Sequence, residues 1–164
     1  MAPSEEALSI ATMLDTILER LVGGFEQAGV DLPDRRYWTT GTPSIDCEQV
    51  TVSFNQAYIG PPGDEANEPQ KCNSPRTAQL SIQIARCIPG MVGPKSRAPS
   101  GEAMQEAAKK QVIDAWVLLD ISSSFDTWDA DLPGRGLGVI ATVNAGEPQG
   151  GFQATTLQLT VAIP

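Results

Sequence analysis

Histidine is missing from all 164 residues. The usual general base near neutral pH goes with it, and so does the commonest metal ligand. Basic residues are scarce: 11 Lys and Arg stand against 20 Asp and Glu, for a net charge of −9. A chain so acidic is poorly suited to gripping nucleic acid through its phosphates, though it can sit beside DNA as a surface that does not stick. The three cysteines are an odd number and make no closed disulfide framework. No apolar run reaches the length needed to span a bilayer, so no membrane partner is expected. The start, Met1-Ala-Pro-Ser-Glu-Glu, has neither a basic segment nor an apolar core of a secretory signal. Synthesis and folding in a cytosol are expected. Together these absences count against an enzyme, a phosphate-gripping nucleic-acid binder and a membrane protein.

What is present is alternation. In Asp46–Tyr58, Val50, Val52 and Phe54 point one way and Thr51, Ser53 and Asn55 the other. In Thr77–Ile88 the apolar set is Leu80, Ile82 and Ile84. An antiparallel register placing Val50 opposite Ile84, Val52 opposite Ile82 and Phe54 opposite Leu80 brings all three pairs to one face. The same register sets Ser53 opposite Ser81 and Cys47 opposite Cys87. These two cysteines read as reduced thiols, with a bridge formed after exposure to air as the lesser alternative. Cys72 lies in the loop between the strands, and no CxxC spacing suggests a metal site.

Ser4–Phe25 reads as a helix capped by Ser4. Leu8, Ala11, Leu14, Leu18, Leu21, Val22 and Phe25 recur at helical spacing, Ile10 and Ile17 widen the stripe, and Gly29 ends the element. Val30–Ile45 reads as a linker with turn chemistry at Leu32-Pro33-Asp34 and Gly41-Thr42-Pro43. Within it Arg35-Arg36-Tyr37-Trp38 is a basic-aromatic cluster. It is expected to start a short strand or pack on the core rather than contact nucleic acid, because two arginines make no patch on so acidic a chain. Gly60–Pro75 carries four prolines, two glycines and three acidic residues, too long a loop for a tight hairpin turn.

Ser100 is placed to cap a second helix from Gly101 to Leu119 or a little beyond, stopped by Ser122-Ser123-Ser124. Met104, Ala107, Ala108, Val112, Ala115, Trp116 and Leu119 are expected to form its buried face. Lys109 and Lys110 are expected to be solvated. Asp126, Asp129 and Asp131 lack the spacing of a calcium loop, with Pro133 inside the window and no glutamate closing it. Gly134, Gly136 and Gly138 precede a strand, not a helix, so a dinucleotide-binding reading fails. Two closing strands follow: Leu137, Val139, Ala141 and Val143 alternate in one, and Leu157, Leu159, Val161 and Ile163 in the other.

The expected fold is α+β: a single domain over residues 1–164, in αββαββ order. A four-stranded, mainly antiparallel sheet would carry both helices on one face and leave the other face polar and open. No residue is assigned a catalytic, cofactor-binding or metal-ligating role.

The αββαββ order, the Gly41-Thr42-Pro43-Ser44-Ile45-Asp46-Cys47 lead into the first central strand and the closing Gly150-Gly151-Phe152…Leu157-Gln158-Leu159-Thr160-Val161 resemble the tail terminator proteins of long-tailed (siphovirus-type) bacteriophages, in particular those of actinobacterial hosts. The resemblance covers most of the chain. It implies a structural virion protein, assembled in the host cytoplasm and residing in the tail and neck. It also implies a hexameric ring that caps the tail tube protein, ends its polymerisation and meets the head-tail connector protein, while DNA passes through the lumen without specific binding. The Gly60–Pro75 loop is expected to contact a neighbouring subunit or the tube. The nearest alternative is a capsid-side head-completion or neck connector. From other classes come a cytosolic enzyme using Cys47 or Cys87 as nucleophile, or Asp126, Asp129 and Asp131 as acid-base groups, and a small regulatory or ligand-binding domain.

Overall fold

The apolar stripe of the first helix does what its spacing demands. A computed structural model of the chain describes residues 5–63, 75–90, 98–124, 139–149 and 151–163. In it α1 runs Glu5–Ala28 and buries Met13, Leu14, Ile17, Leu21 and Phe25. Each such side chain contributes about 1.5–3 kcal/mol by leaving water. Gly29, at φ 67°, turns the backbone left-handed and stops the helix, and its neighbour Val30 donates an amide bond back to Phe25 O at 3.0 Å. The Ser4 cap lies outside the described residues.

The two central strands are β2 (Gln49–Ile59) and β3 (Arg76–Cys87), after a first strand β1 (Arg35–Thr40). The β2–β3 register pairs Val50 with Ile84, Val52 with Ile82, Phe54 with Leu80 and Ser53 with Ser81, as the alternation predicts. A bulge between Phe54 and Gln56 then shifts the pairing. After α2 (Gly101–Ser123), β4 (Val139–Ala145) and β5 (Phe152–Ile163) pair antiparallel, and β5 joins the other side of β3. Val50 and Val52, then Ala78 to Ile84 on alternate positions, then Leu157, Leu159 and Val161 bury one face of the sheet under the helices. α1 packs over β1 and β2, and α2 over β5 and β4.

The expected four-stranded αββαββ arrangement is overturned. The sheet has five strands in the order β1-β2-β3-β5-β4, and the chain runs α-β-β-β-α-β-β. The additional strand is Arg35-Arg36-Tyr37-Trp38-Thr39-Thr40, inside the segment read as a linker, although a short strand at Tyr37-Trp38 was anticipated there. It pairs parallel with β2, Arg35 beside Gln49 and Thr40 beside Phe54. Parallel neighbours normally need a crossover of a dozen or more residues. Here residues 41–48 suffice, because eight extended residues reach about 26–29 Å and the strand to be retraced is about 20 Å long.

The face opposite the helices is uncharged along two rows, with Arg35 at its β1 edge. One row across all five strands reads Tyr37, Thr51, Gln83, Thr156, Asn144, and the next reads Thr39, Ser53, Ser81, Gln158, Thr142. The expectation that this face is uncovered holds only in part. Gln49, Thr51, Ser53 and Thr77 on it are buried. The 41–48 connection crosses it, since Tyr37 Oη and Gln49 Nε2 both donate to Ser44 O, at 3.3 and 2.8 Å.

Candidate interaction surface

Helix α2 positions the site. Ser100 caps it as expected, its hydroxyl accepting the Ala103 amide at 3.2 Å. The helix continues through Ser122 and Ser123 and ends at Ser124. Its buried face, however, is not the apolar one. The residues turned to the sheet and core are Ala107, Asp114, Leu118 and Ser122. Asp114, 1% exposed, takes a two-pronged ion pair from Arg86 of β3: Nε to Oδ2 at 2.6 Å and a terminal nitrogen to Oδ1 at 2.8 Å. Arg86 also donates to Asp31 O at 2.7 Å, which ties in the segment after α1. Its guanidinium is held above its ordinary pKa, chiefly by the hydrogen bond to Asp114. Around it the helix-sheet contact is amide chemistry: Gln111 Nε2 donates to Gly146 O at 2.9 Å, and Gln153 Nε2 to Ala107 O.

Seating Asp114 on Arg86 sets the roll of the helix, and that roll carries the expected core face outward. Of its seven members, Ala107 is buried and Met104 and Ala115 are half-buried, while Ala108, Val112, Trp116 and Leu119 are exposed. This corrects the expectation of a core-facing stripe. Trp116 is 75% exposed and Val112 64%. With Ile113 and Leu119, also exposed, they form a continuous apolar stripe one helical repeat apart. Beside Trp116 a groove of about 950 Å³ runs between the helices, with Gly23 and Gly24 of α1 on one wall and Val117 and Ile121 on the other. Lys109 and Lys110 are exposed at the stripe's N-terminal end, as expected, and take part in no ion pair among the described residues.

The basic-aromatic cluster is committed within the chain. Arg35 pairs with Asp46 at 2.9 Å and lies over the Tyr37 ring. Arg36 donates to Pro33 O and Leu32 O, and Trp38 Nε1 donates to Asp15 of α1 at 2.7 Å. Cys47 and Cys87 are adjacent, free and exposed. Cys72, Asp126, Asp129, Asp131, Gly134, Gly136, Gly138 and residues 64–74 of the Gly60–Pro75 loop lie outside the described residues. Among the described residues no group of three or more Cys, Asp or Glu is placed to hold a metal ion, and no helix is long and apolar enough to cross a membrane.

No family model and no curated protein matches this chain. The surface must therefore be read on its own chemistry. It offers no assembled acid, base and nucleophile among the described residues. It offers an aromatic anchor on a rigid helix, flanked by two cations and a groove. Sequence reasoning named Val112, Trp116 and Leu119 of the stripe but placed them inside, and it did not name Ile113. The signal that could have turned it round was Asp114, an acidic residue on the flank of an apolar helix face, with Arg86 ending the otherwise uncharged run that starts at Thr77.

Proposed function

We propose that the chain is a structural subunit of a phage virion, a tail terminator that assembles as a ring, most simply a hexamer, on the end of the tail tube. The observation that carries this reading is the outward stripe Val112-Ile113-Trp116-Leu119 on α2. A tryptophan carries roughly 150–250 Å² of surface to bury, and a contiguous exposed apolar patch of this kind marks an association surface. In a ring each contact joins two different patches of neighbouring copies, repeated round a closed rotation. The family resemblance rested partly on a strand order that the fold corrects, so the stripe bears the main weight. The net charge of −9 supports passage of DNA without adhesion.

Two experiments test this. Native mass spectrometry of the purified chain should show a closed oligomer, and Val112→Ser with Trp116→Ser should reduce it to monomer while the fold persists. Electron microscopy of lysates from a phage lacking the gene should show tails of uncontrolled length beside unjoined, filled heads. Tails of normal length that fail to join heads would assign the chain to the head-side connector instead. Normal infectious particles would overturn the virion reading altogether.

A further inference from the structure

At the end of the β2–β3 pair two thiols stand side by side. Gln49 lies opposite Ala85, so the same alignment carries Cys47 towards Cys87. Cys47 lies in the connection just before that last register pair, and Cys87 is the final residue of β3. The side chains are neighbours, close enough for Cys47 to raise the pKa of the Cys87 thiol. A third strand frames them. Cys87 is the register partner of Phe152, and Gly151 O lies 3.7 Å from Cys47 Sγ while accepting the Ile88 amide at 3.0 Å. Both cysteines are exposed to a reagent in solution.

We infer that Cys47 and Cys87 form a two-electron modification site, a dithiol that a small-molecule disulfide of the glutathione class converts to a cross-strand bridge tying the β1–β2 connection to the end of β3. The Cys47 thiolate attacks one sulfur of the oxidised glutathione. That S–S bond breaks, one glutathione leaves and takes up a proton, and a mixed disulfide remains on Cys47. Cys87 then loses its proton to solvent and attacks the Cys47 sulfur, and the second glutathione leaves and is protonated. Two electrons and two hydrogens pass from the protein thiols to the co-reactant, giving one protein disulfide and two glutathione thiols. The order of attack follows from the Cys87 thiol, pushed up to about 11 first by the neighbouring Cys47 and then by burial. It keeps its proton at neutral pH and serves as the resolving group.

The site stands whether or not the chain forms a ring. The full chain carrying Cys72→Ser, which leaves only this pair, is incubated with graded ratios of oxidised to reduced glutathione and alkylated, and its intact mass is measured. A single transition to a species two hydrogens lighter, with both alkylations lost together and no glutathione retained, is the expected result. Peptide mapping should then recover a Cys47–Cys87 link, and the melting temperature should rise by several degrees and fall back on reduction. Adding Cys87→Ser should instead trap glutathione on Cys47. Thiols that both remain alkylatable under excess oxidised glutathione, or a stable doubly glutathionylated protein, would overturn the site.

Discussion

Asp114 and Thr51 are the two side chains whose burial is most informative. Removing one partner of a buried ion pair leaves an uncompensated charge, at a cost of about 3–5 kcal/mol. Asp114→Ala should lower stability by that order in urea unfolding. Replacing Arg86 and Asp114 together by apolar residues of similar volume should recover most of the loss. Thr51 presents the opposite case. Its Oγ1 is buried without a hydrogen-bond partner among the described residues, opposite Gln83, whose Oε1 is likewise buried and unpartnered among them. Thr51→Val keeps the branched shape and removes an unsatisfied group, so it should stabilise the fold by about 1 kcal/mol. A loss of stability in the same unfolding experiment would show that the hydroxyl has a partner in solution.

At the scale of the element, the adjacent glycines of α1 separate propensity from packing. Gly23 faces open space, and a Cβ there would meet nothing within 4 Å. Gly23→Ala should stabilise the helix by about 0.5–1 kcal/mol. A Cβ on Gly24 would sit 2.5 Å from the Ile121 side chain. Ile121 is β-branched and stiff in its helix, so Gly24→Ala should cost about 1–3 kcal/mol from overpacking, against the same propensity gain. Thermal melts of the two variants should therefore move in opposite directions, or at least differ by several degrees. The contrast also explains Gly24: it lets α1 approach α2 closely at Ile121 without ending the helix, which continues to Ala28. The strands of the central hairpin were legible because period two and one buried face allow only one parity. The place of β1 in the sheet was not, since Arg35–Thr40 has no clean alternation and its parallel pairing with β2 depends on a partner lying beyond a connection that looks too short.

For the whole molecule, charge and apolar surface act in opposite directions. A subunit of net charge −9 repels its copies, while the α2 stripe attracts them. Salt screens the first and leaves the second, with a screening length of about 10 Å at 0.1 M and about 3 Å at 1 M. On the proposed ring reading, raising ionic strength should shift the oligomer population towards the closed ring, measured by light scattering across a salt series. Dissociation by salt would mean that ion pairs rather than the apolar stripe hold the subunits. What the sequence alone determined was local: α1 and its buried stripe, the Ser100 cap, the parity and register of β2 on β3, and the β4–β5 pair. Periodicity and caps act within a few residues of one another and need no further partner. Only the tertiary structure decided the fifth strand, the roll of α2 and the meeting of Cys47 with Gly151. The physical reason is that each depends on a contact distant in the chain, and above all on Asp114 reaching Arg86, a pairing that leaves neither buried charge uncompensated.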